Sequence, residues 1–416
     1  MTKSKRVSRR KVLAGAAAAL GSTVFSPKTG AQEATAPADP TKIQGRLASE
    51  LGTRSPHETI HRIPYRSTRT SSHTPLQDLD GIITPSDLHF ERHHGGIPEI
   101  DPDSYSLLIH GMVDQPKIYT LAELKRFPPR SMIRFLECSG NGGRSYRPPE
   151  DEQREMTPQQ ADGLTSTSEW TGVPLATLFE EVGVKPEATW FLAEAMDAAI
   201  MTRSIPVSKA WDDAIIAYRQ NGEALRPEQG YPARLFLPGF EGSSNVKWIR
   251  RIELSDQPFM SREETAKYTD PLPDGTARSF SFVMDAKSLI TFPAHPVQLS
   301  ERGWWTITGI AWTGRGKIVR VDVSTDGGAS WHEAELEEPV LAKCHTRFRL
   351  PWNWDGNESV IMSRATDETG YTQPSLDELM DVRGAGTRYH YNHVRAWTVR
   401  EDGTVLFGID PPARAV

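Results

Sequence analysis

Cysteine is scarce in this chain of 416 residues, which has only Cys138 and Cys344. A disulfide framework is therefore excluded, because at most one bridge could form. No Cys-x-x-Cys-His occurs, so we expect no covalently attached haem in this chain. The phosphate loop, the dinucleotide glycine fingerprint and the Gly-x-Ser-x-Gly elbow are also absent, which counts against the enzyme classes that depend on them.

Positive charge is in deficit beyond the first 31 positions. Residues 1–31 contain seven Lys and Arg and no acid, and the rest of the chain has 41 basic against 54 acidic residues, a formal charge of −13. Such an acidic protein is a poor partner for nucleic acid or for an anionic membrane surface.

The N-terminal segment has the pattern of an export signal. Arg9 and Arg10 precede a modest apolar stretch at 12–25, which is too short and too weakly apolar to favour a membrane span. We interpret residues 1–31 as a twin-arginine signal peptide, which predicts a periplasmic protein, exported folded and without a membrane anchor in its mature form. A basic arm for nucleic acid is the alternative.

The length predicts two domains after this leader. Residues 32–75 are polar and rich in Pro, Ser and Thr, and we interpret them as an extended linker or arm. Residues 76–277 mix strand and short-helix patterns around the motifs below. From 278 to 416 short strands recur with turn signals about every dozen residues, which is typical of an antiparallel β-sandwich of the immunoglobulin-like kind.

The most informative stretch is the strand-to-loop transition around Cys138. An apolar run, Ile133 to Leu136, predicts a buried strand. It leads into Glu-Cys-Ser-Gly-Asn-Gly-Gly, in which glycines permit a tight loop, and then into Arg144 and Arg147. One thiol, open backbone amides and guanidinium groups suit a metal–thiolate site that also holds anions. A buried structural cysteine is the alternative.

Two further stretches place donors and positive charge on loops. Phe90-Glu-Arg92-His93-His94 ends at two glycines, and Arg234 precedes a loop that leads to Lys247. Adjacent histidines allow zinc, but no spaced Cys or His completes a four-ligand set. Contact with phosphate-like groups is the favoured interpretation of both loops.

Together these stretches resemble the sulfite oxidase family of molybdenum enzymes. The resemblance covers about residue 76 onward, and its motifs occur in the family's order: Phe90-x-Arg92-x-His94, Glu137-Cys138-Ser-Gly-Asn141, Tyr231-Pro-x-Arg234 with Val246-Lys-Trp248, and Gly314-Arg-Gly-Lys with Trp331. Within the family the sequence is most similar to the molybdenum subunit of Sox-type sulfane (sulfite) dehydrogenase, through Glu228-Gln-Gly-Tyr-Pro232 and Ser363-Arg-Ala-Thr-Asp-Glu-Thr-Gly-Tyr371.

The resemblance implies a fold, a cofactor and a set of site residues. It implies a mixed α+β molybdopterin-binding domain followed by an immunoglobulin-like sandwich through which subunits dimerise. Cys138 would ligate molybdenum, and Arg92 and Tyr268 would be catalytic. Positions around the molybdopterin cofactor would be Phe90, His93, His94, Asn141, Arg234, Ser243, Ser244 and Lys247.

The sequence departs from the family at several of these positions. His93 replaces a common Asn, Gln229 a common His, and Ser244 an Arg, while Arg144 is shifted by one residue. The substrate pocket therefore need not prefer free sulfite.

The implied function is oxidation of reduced sulfur, with electrons passing to a separate c-type cytochrome. The substrate would be sulfane sulfur on a carrier protein, or free sulfite in a direct sulfite:cytochrome c dehydrogenase. A molybdopterin sulfoxide reductase of the same fold and a metal-free binding protein are further alternatives. The sandwich predicted at residues 278–416 counts against the sulfoxide reductase, whose lineage generally lacks it. The presence of both Cys138 and Arg92 counts against the metal-free binding protein.

Overall fold

The computed structural model describes residues 39, 42, 44–65, 70–147 and 154–409. The predicted signal peptide lies outside the described residues. The chain divides into two compact units, Met1–Glu58 and Thr59–Val416. In the first unit, residues 44–58 form bends and turns and contain neither helix nor strand. The second unit contains all the elements below.

A small antiparallel sheet begins the second unit, in the order β1 (Ile63–Pro64), β2 (Ser71–His73) and β3 (Glu91–Arg92). The sequence predicted an arm without core residues up to position 75, yet β2 is buried. Its polar side chains find internal partners, since the imidazole of His73 bonds to the carbonyl of Gln159 at 2.9 Å. Low hydropathy therefore did not reveal its burial.

Two five-stranded sheets form most of the region before residue 278. The first is antiparallel, and its β10 also pairs with β12 (Arg234–Phe236); its order is β11 (Glu223–Ala224), β10 (Ile215–Gln220), β7 (Thr165–Pro174), β6 (Arg130–Glu137). The second contains one parallel pair, β4 with β13; its order is β5 (Lys117–Thr120), β4 (Ser106–Gly111), β13 (Ile249–Ser255), β8 (Trp190–Ala195), β9 (Thr202–Pro206).

Helices in the described residues are short. They are α1 (Leu121–Leu124), α2 (Gly143–Tyr146), α3 (Pro158–Asp162), α4 (Leu175–Val182), α5 (Val207–Asp212) and α6 (Leu376–Arg383), with 3₁₀ turns at Leu76–Asp78, Pro227–Gln229 and Gly242–Ser244 and a π-helical turn at Glu263–Lys267. Thr120 and Glu123 form a capping box at the start of α1. No helix in the described part of the chain combines the length and apolarity that crossing a lipid bilayer requires.

Beyond the hairpin of β14 (Asp270–Pro271) and β15 (Ala277–Arg278), two antiparallel sheets face each other over a shared apolar core. One has the order β16 (Lys287–Phe292), β17 (Gly303–Trp312), β21 (Thr346–Trp354), β20 (Glu335–Glu337). The other has the order β19 (His332–Glu333), β18 (Ile318–Ser324), β22 (Ser359–Asp367), β23 (Arg395–Val399), β24 (Val405–Phe407). Burial alternates along β22, as a two-sided strand requires. The predicted fold class is confirmed.

The apolar core of the sandwich extends into the region before residue 278. Three residues from outside the sandwich are buried in the same apolar cluster as the core side chains of its two sheets. They are Phe135 of β6, Met156, which precedes α3, and Ala161 of α3. The strand that leads into Cys138 is therefore anchored against the C-terminal region.

Candidate functional site

The Cys138 loop is fixed by backbone hydrogen bonds as soon as β6 ends. The amide of Cys138 donates to the carbonyl of Leu164 at 3.0 Å, and the amide of Asn141 donates back to the carbonyl of Cys138 at 2.9 Å. Gly142 follows with φ +90°, where a Cβ would lie 2.8 Å from Oδ1 of Asp162. The glycine is therefore needed for both the conformation and the close approach.

A second loop packs directly on this turn. A Cβ on Gly242 would lie 2.8 Å from the carbonyl oxygen of Glu137 and 3.2 Å from Cα of Cys138. Only a glycine lets the 242–244 turn approach the cysteine so closely. The two loops predicted from separate parts of the sequence thus meet at one place.

A cavity at this junction collects most of the predicted site residues. Its wall includes Cys138 and Tyr268 together with Phe90, Arg92, His93, His94, Arg234, Ser243 and Lys247. Asn141 and Ser244 do not line it. The side-chain amide of Asn141 donates to Oε1 of Glu137 and accepts from the backbone amide of Leu164, and the hydroxyl of buried Ser244 lies 3.5 Å from Oε1 of Glu241. The roles proposed for these residues stay predictions.

Three cations of this wall lack a carboxylate partner among the described residues. Arg234 donates to the carbonyls of Gln229 and Asn245, and its Nε is buried without a partner. Lys247 donates to the carbonyls of Arg92 and Glu228, each at 2.9 Å. Arg92 bonds to the carbonyl of His93.

Burial makes these charges costly in the absence of an anion. Desolvation lowers the pKa of Arg234 to about 9, and desolvation together with the Arg234 charge lowers that of Lys247 to about 7. Among the described residues, the wall contributes only one carboxylate, Asp197, which accepts from the amide of Met201 at 3.0 Å. An anionic group in the cavity would restore the charge balance.

Tyr268 is held by groups on both sides of its ring. Its hydroxyl lies 3.0 Å from Nε2 of His94, and the guanidinium of Arg203 stands 4.6 Å from its ring centroid. Burial, with a smaller contribution from Cys138, raises the pKa of Tyr268, so the phenol keeps its proton at neutral pH. Desolvation and the Arg92 charge lower the pKa of His94 to about 4, so its imidazole is neutral there.

Arg203 contacts two residues of the cavity wall, and the sequence did not reveal it. It is fully buried on β9 and pairs with Glu241 at 2.9 Å and with Glu264 at 2.8 Å. It also contacts the hydroxyl of Ser243 in the cavity wall. Nothing in its short strand marks it, because its partners lie far away in the sequence.

The C-terminal region also reaches the site. The amide of His390 donates to the carbonyl of Ser139 at 2.8 Å, and Tyr389 packs against Tyr268 with ring centroids 5.0 Å apart. Desolvation, with a contribution from Cys138, raises the pKa of Tyr389 to about 12. The aromatic and histidine-rich run Tyr389-His-Tyr-Asn-His393 is the sequence signal that could have indicated this contact.

A second cavity adjoins the first at Arg92, which lines both. Its described lining also includes Arg144, Arg147 and the glycines of the cysteine loop, and it contains no acidic side chain. The predicted pair of loop arginines therefore lines a space beside the cysteine loop.

The chain offers a metal only one strong ligand here. Among the described residues, no cluster of three or more His, Cys, Asp or Glu side chains could hold a metal ion. Cys344 is a separate, buried thiol that bonds to the carbonyl of Ile133. A metal at Cys138 would need further ligands from a cofactor.

Two family models match the chain in succession. Residues 94–263 match the oxidoreductase molybdopterin-binding domain, and residues 278–396 match the Mo-co oxidoreductase dimerisation domain. A chain of the crystal structure of the sulfane dehydrogenase SoxCD from Paracoccus pantotrophus is 42% identical in sequence to this chain. The alignment covers 89% of this chain and 98% of that one, with a TM-score of 0.81. The chain belongs to the sulfite oxidase family of molybdenum enzymes.

Curated relatives include enzymes with opposite reactions. Mouse mitochondrial sulfite oxidase is 29% identical over 76% of this chain, and the NADH nitrate reductase of Ulva prolifera is 28% identical over 74%. The chain spans 62% and 40% of the length of these two relatives.

The cavity suits the cofactor that this family implies. A molybdenum held by a pterin dithiolene needs a protein thiolate rather than a full ligand set, and Cys138 is the one thiol in the wall. The phosphate and the dithiolene of the cofactor are anionic, which fits cations that lack carboxylate partners in the described chain. The unpartnered Nε of Arg234 supplies a further donor.

Proposed function

We propose that this protein oxidises reduced sulfur at a molybdenum cofactor and passes the electrons to a c-type cytochrome on a separate protein. The observation that carries the proposal is the single cavity in which Cys138 shares a wall with Arg92, Arg234 and Lys247. A thiol beside cations without carboxylate partners suits a metal–thiolate centre with anionic neighbours better than it suits a structural core.

The residues of the wall divide between cofactor and substrate. When bound, the cofactor would supply the two-electron change and the oxygen transfer to sulfur. Cys138 would ligate molybdenum as a thiolate, and Arg234, Ser243 and Lys247 would hold the anionic parts of the pterin.

Arg92 is the residue that would hold the substrate. It lines both cavities, and its fork of donors can grip an oxyanion. The second cavity, with Arg144 and Arg147, would attract an anion toward the thiol. Tyr268, protonated and held by His94, would donate a hydrogen bond to that anion.

Sulfite and carrier-bound sulfane sulfur are the two candidate substrates. Sulfite oxidation takes its oxygen from water and releases two electrons and two protons. The similarity to SoxCD supports the sulfane substrate, which would reside on a cysteine of a carrier protein. We further propose export to the periplasm by the twin-arginine route and a homodimer formed through the C-terminal region, which the dimerisation-domain match supports.

Nitrate reduction is a second candidate, favoured by the identity to nitrate reductases. Nitrate is also an oxyanion that Arg92 could hold. A sulfoxide reductase of this fold is disfavoured by the match of residues 278–396 to the dimerisation domain.

Purified protein tests the proposal directly. We expect near-stoichiometric molybdenum by elemental analysis, and cytochrome c reduction with sulfite or with a persulfidated carrier protein. Nitrate with a reduced viologen dye is the competing assay. Protein that incorporates no molybdenum, or that turns over only nitrate, would overturn the proposal.

A further inference from the structure

The back of the Cys138 loop is built from fully buried charges. Glu137, immediately before the cysteine, is completely shielded from solvent, and its carboxylate accepts three hydrogen bonds. Asn141 of the same loop donates to Oε1 at 2.9 Å, Lys287 donates to Oε1 at 2.7 Å, and Trp312 donates to Oε2 at 2.7 Å.

Two of these three donors come from the sandwich. Lys287 begins β16 and Trp312 ends β17, and the two residues are direct partners in the register of that strand pair. The ammonium of Lys287 also reaches the carbonyl of Asn141 at 3.3 Å. The sandwich therefore holds the cysteine loop at a side chain and at its backbone.

A second buried pair closes the arrangement. Asp162, at the end of α3, lies 3.3 Å from Lys287 and receives a bidentate contact from Arg395 of β23 at 2.8 and 2.9 Å. The guanidinium of Arg395 lies where a Cβ of Gly142 would stand. Two carboxylates of the N-terminal part thus meet two cations of the sandwich.

We propose that Lys287 and Trp312 are positioning residues, through which the sandwich sets the geometry of the Cys138 thiolate. The inference rests on the proposed role of Cys138 as the molybdenum ligand. Neither residue lines the cavity, so they act through Glu137 and Asn141. A buried ion pair is weak evidence for stability, but its fixed geometry specifies one conformation of the groups attached to it. Outer-shell partners of this kind tune a metal through its ligand.

Lys287→Met in the full-length holoenzyme is the principal test. We expect molybdenum to be retained, the Mo(V) electron paramagnetic resonance spectrum to shift, and kcat to fall about 10- to 100-fold with KM little changed. Lys287→Arg, which keeps a buried cation and its donors, should recover most of the wild-type spectrum.

Lys343→Met is the matched control. Lys343 also belongs to the sandwich and pairs with a carboxylate of the N-terminal part, Asp213, at 2.6 Å, but its side chain is not bonded to the cysteine loop. We expect this variant to lose stability while keeping the wild-type spectrum and kcat. Equal spectral shifts in both lysine variants would indicate general loosening and overturn the proposal.

Hydrogen–deuterium exchange gives a readout that does not need the metal. Amides of residues 138–141 should exchange about tenfold faster in Lys287→Met than in wild type or Lys343→Met. Unchanged exchange together with an unchanged spectrum would refute the positioning role. Wild-type protein without molybdenum but with the expected exchange pattern would instead refute only the proposed function.

A double variant covers the case in which Lys287→Met does not fold. Adding Glu137→Gln removes the buried charge that the lysine leaves unpaired and should restore folding. The double variant should still show the fast exchange at 138–141, because the link to the sandwich is gone. Wild-type exchange in a folded double variant would sink the proposal.

Discussion

Buried arginine and lysine side chains lie on both sides of the Cys138 loop, but only those behind the loop are paired with carboxylates. On the cavity side, Arg92, Arg234 and Lys247 bond to backbone carbonyls, and the described residues give them no carboxylate. Behind the loop, Lys287 and Arg395 each meet a fully buried carboxylate.

The presence or absence of a carboxylate partner distinguishes cations suited to binding a ligand from cations that fix the structure of the loop. Buried charge left without an opposite charge is expensive, so it is tolerated where a ligand supplies that charge. Buried charge already paired needs no ligand, and its value is the geometry that it fixes. The sign of the charge alone would not have distinguished the cations that face the cavity from those behind the loop.

The largest effect is expected at the residue between the two sides. Cys138→Ser removes the proposed soft ligand and should lower kcat by more than about 100-fold, since even outer-shell changes cost 10- to 100-fold. The fold should persist, because the thiol is half-buried at a cavity rather than in the core. Turnover with sulfite and the far-ultraviolet circular dichroism spectrum measure the two effects; a variant with wild-type turnover would end the ligand assignment.

Breaking the paired side should cost stability. Lys287→Met leaves Glu137 and Asp162 with one buried cation in place of two, and we expect a loss of about 3–5 kcal/mol in the free energy of unfolding. Urea denaturation measures it. A loss below about 1 kcal/mol would mean that the pairing contributes little.

Breaking the unpaired side should cost function instead. Arg92→Gln should reduce kcat/KM for anionic substrate about 10- to 150-fold, because a hydrogen bond to a charged group contributes about 1.5–3 kcal/mol. Steady-state kinetics with sulfite measures this change. The exposed Arg349→Gln, on β21, is the control and should leave kcat/KM unaltered.

Burial of Lys247 on the cavity side should make the stability of the protein without cofactor depend on pH. In protein without cofactor its pKa is about 7 against an ordinary 10.5, so between these values the unfolded chain binds more protons than the folded one. The contribution of this lysine to stability therefore rises with pH across that window, and its full burial cost applies below pH 7. The melting temperature of wild type minus that of Lys247→Met should increase from pH 7 to pH 9. A flat difference would contradict the assignment.

The smallest effect is expected for a paired charge at the surface. Lys117 pairs with Glu181 at 2.5 Å, but both side chains are substantially exposed. Lys117→Gln should change the free energy of unfolding by no more than about 1 kcal/mol, because exposed pairs are screened by solvent. A larger loss would show that pairing matters more than burial in this protein.

Local patterns predicted the elements near the site well. The strand predicted at Ile133 to Leu136 is present within β6, which extends it by three residues at its start and one at its end. The short strands β3 and β11 were not predicted, since two residues carry too little periodicity. Their existence depends on partners brought by the rest of the fold.

What the sequence by itself determined is the set of local motifs: the strand into Cys138, the loop glycines, the donors on three loops and the strand repeats after residue 278. These follow from backbone preferences and side-chain periodicity over a few residues. Only the tertiary structure decided that Glu137 meets Lys287, 150 positions away, that Arg203 supports Tyr268, and that Tyr389 and His390 return to the cysteine loop. Those pairings depend on how sheets stack, and the cost of burying charge selects a partner by position rather than by neighbouring sequence.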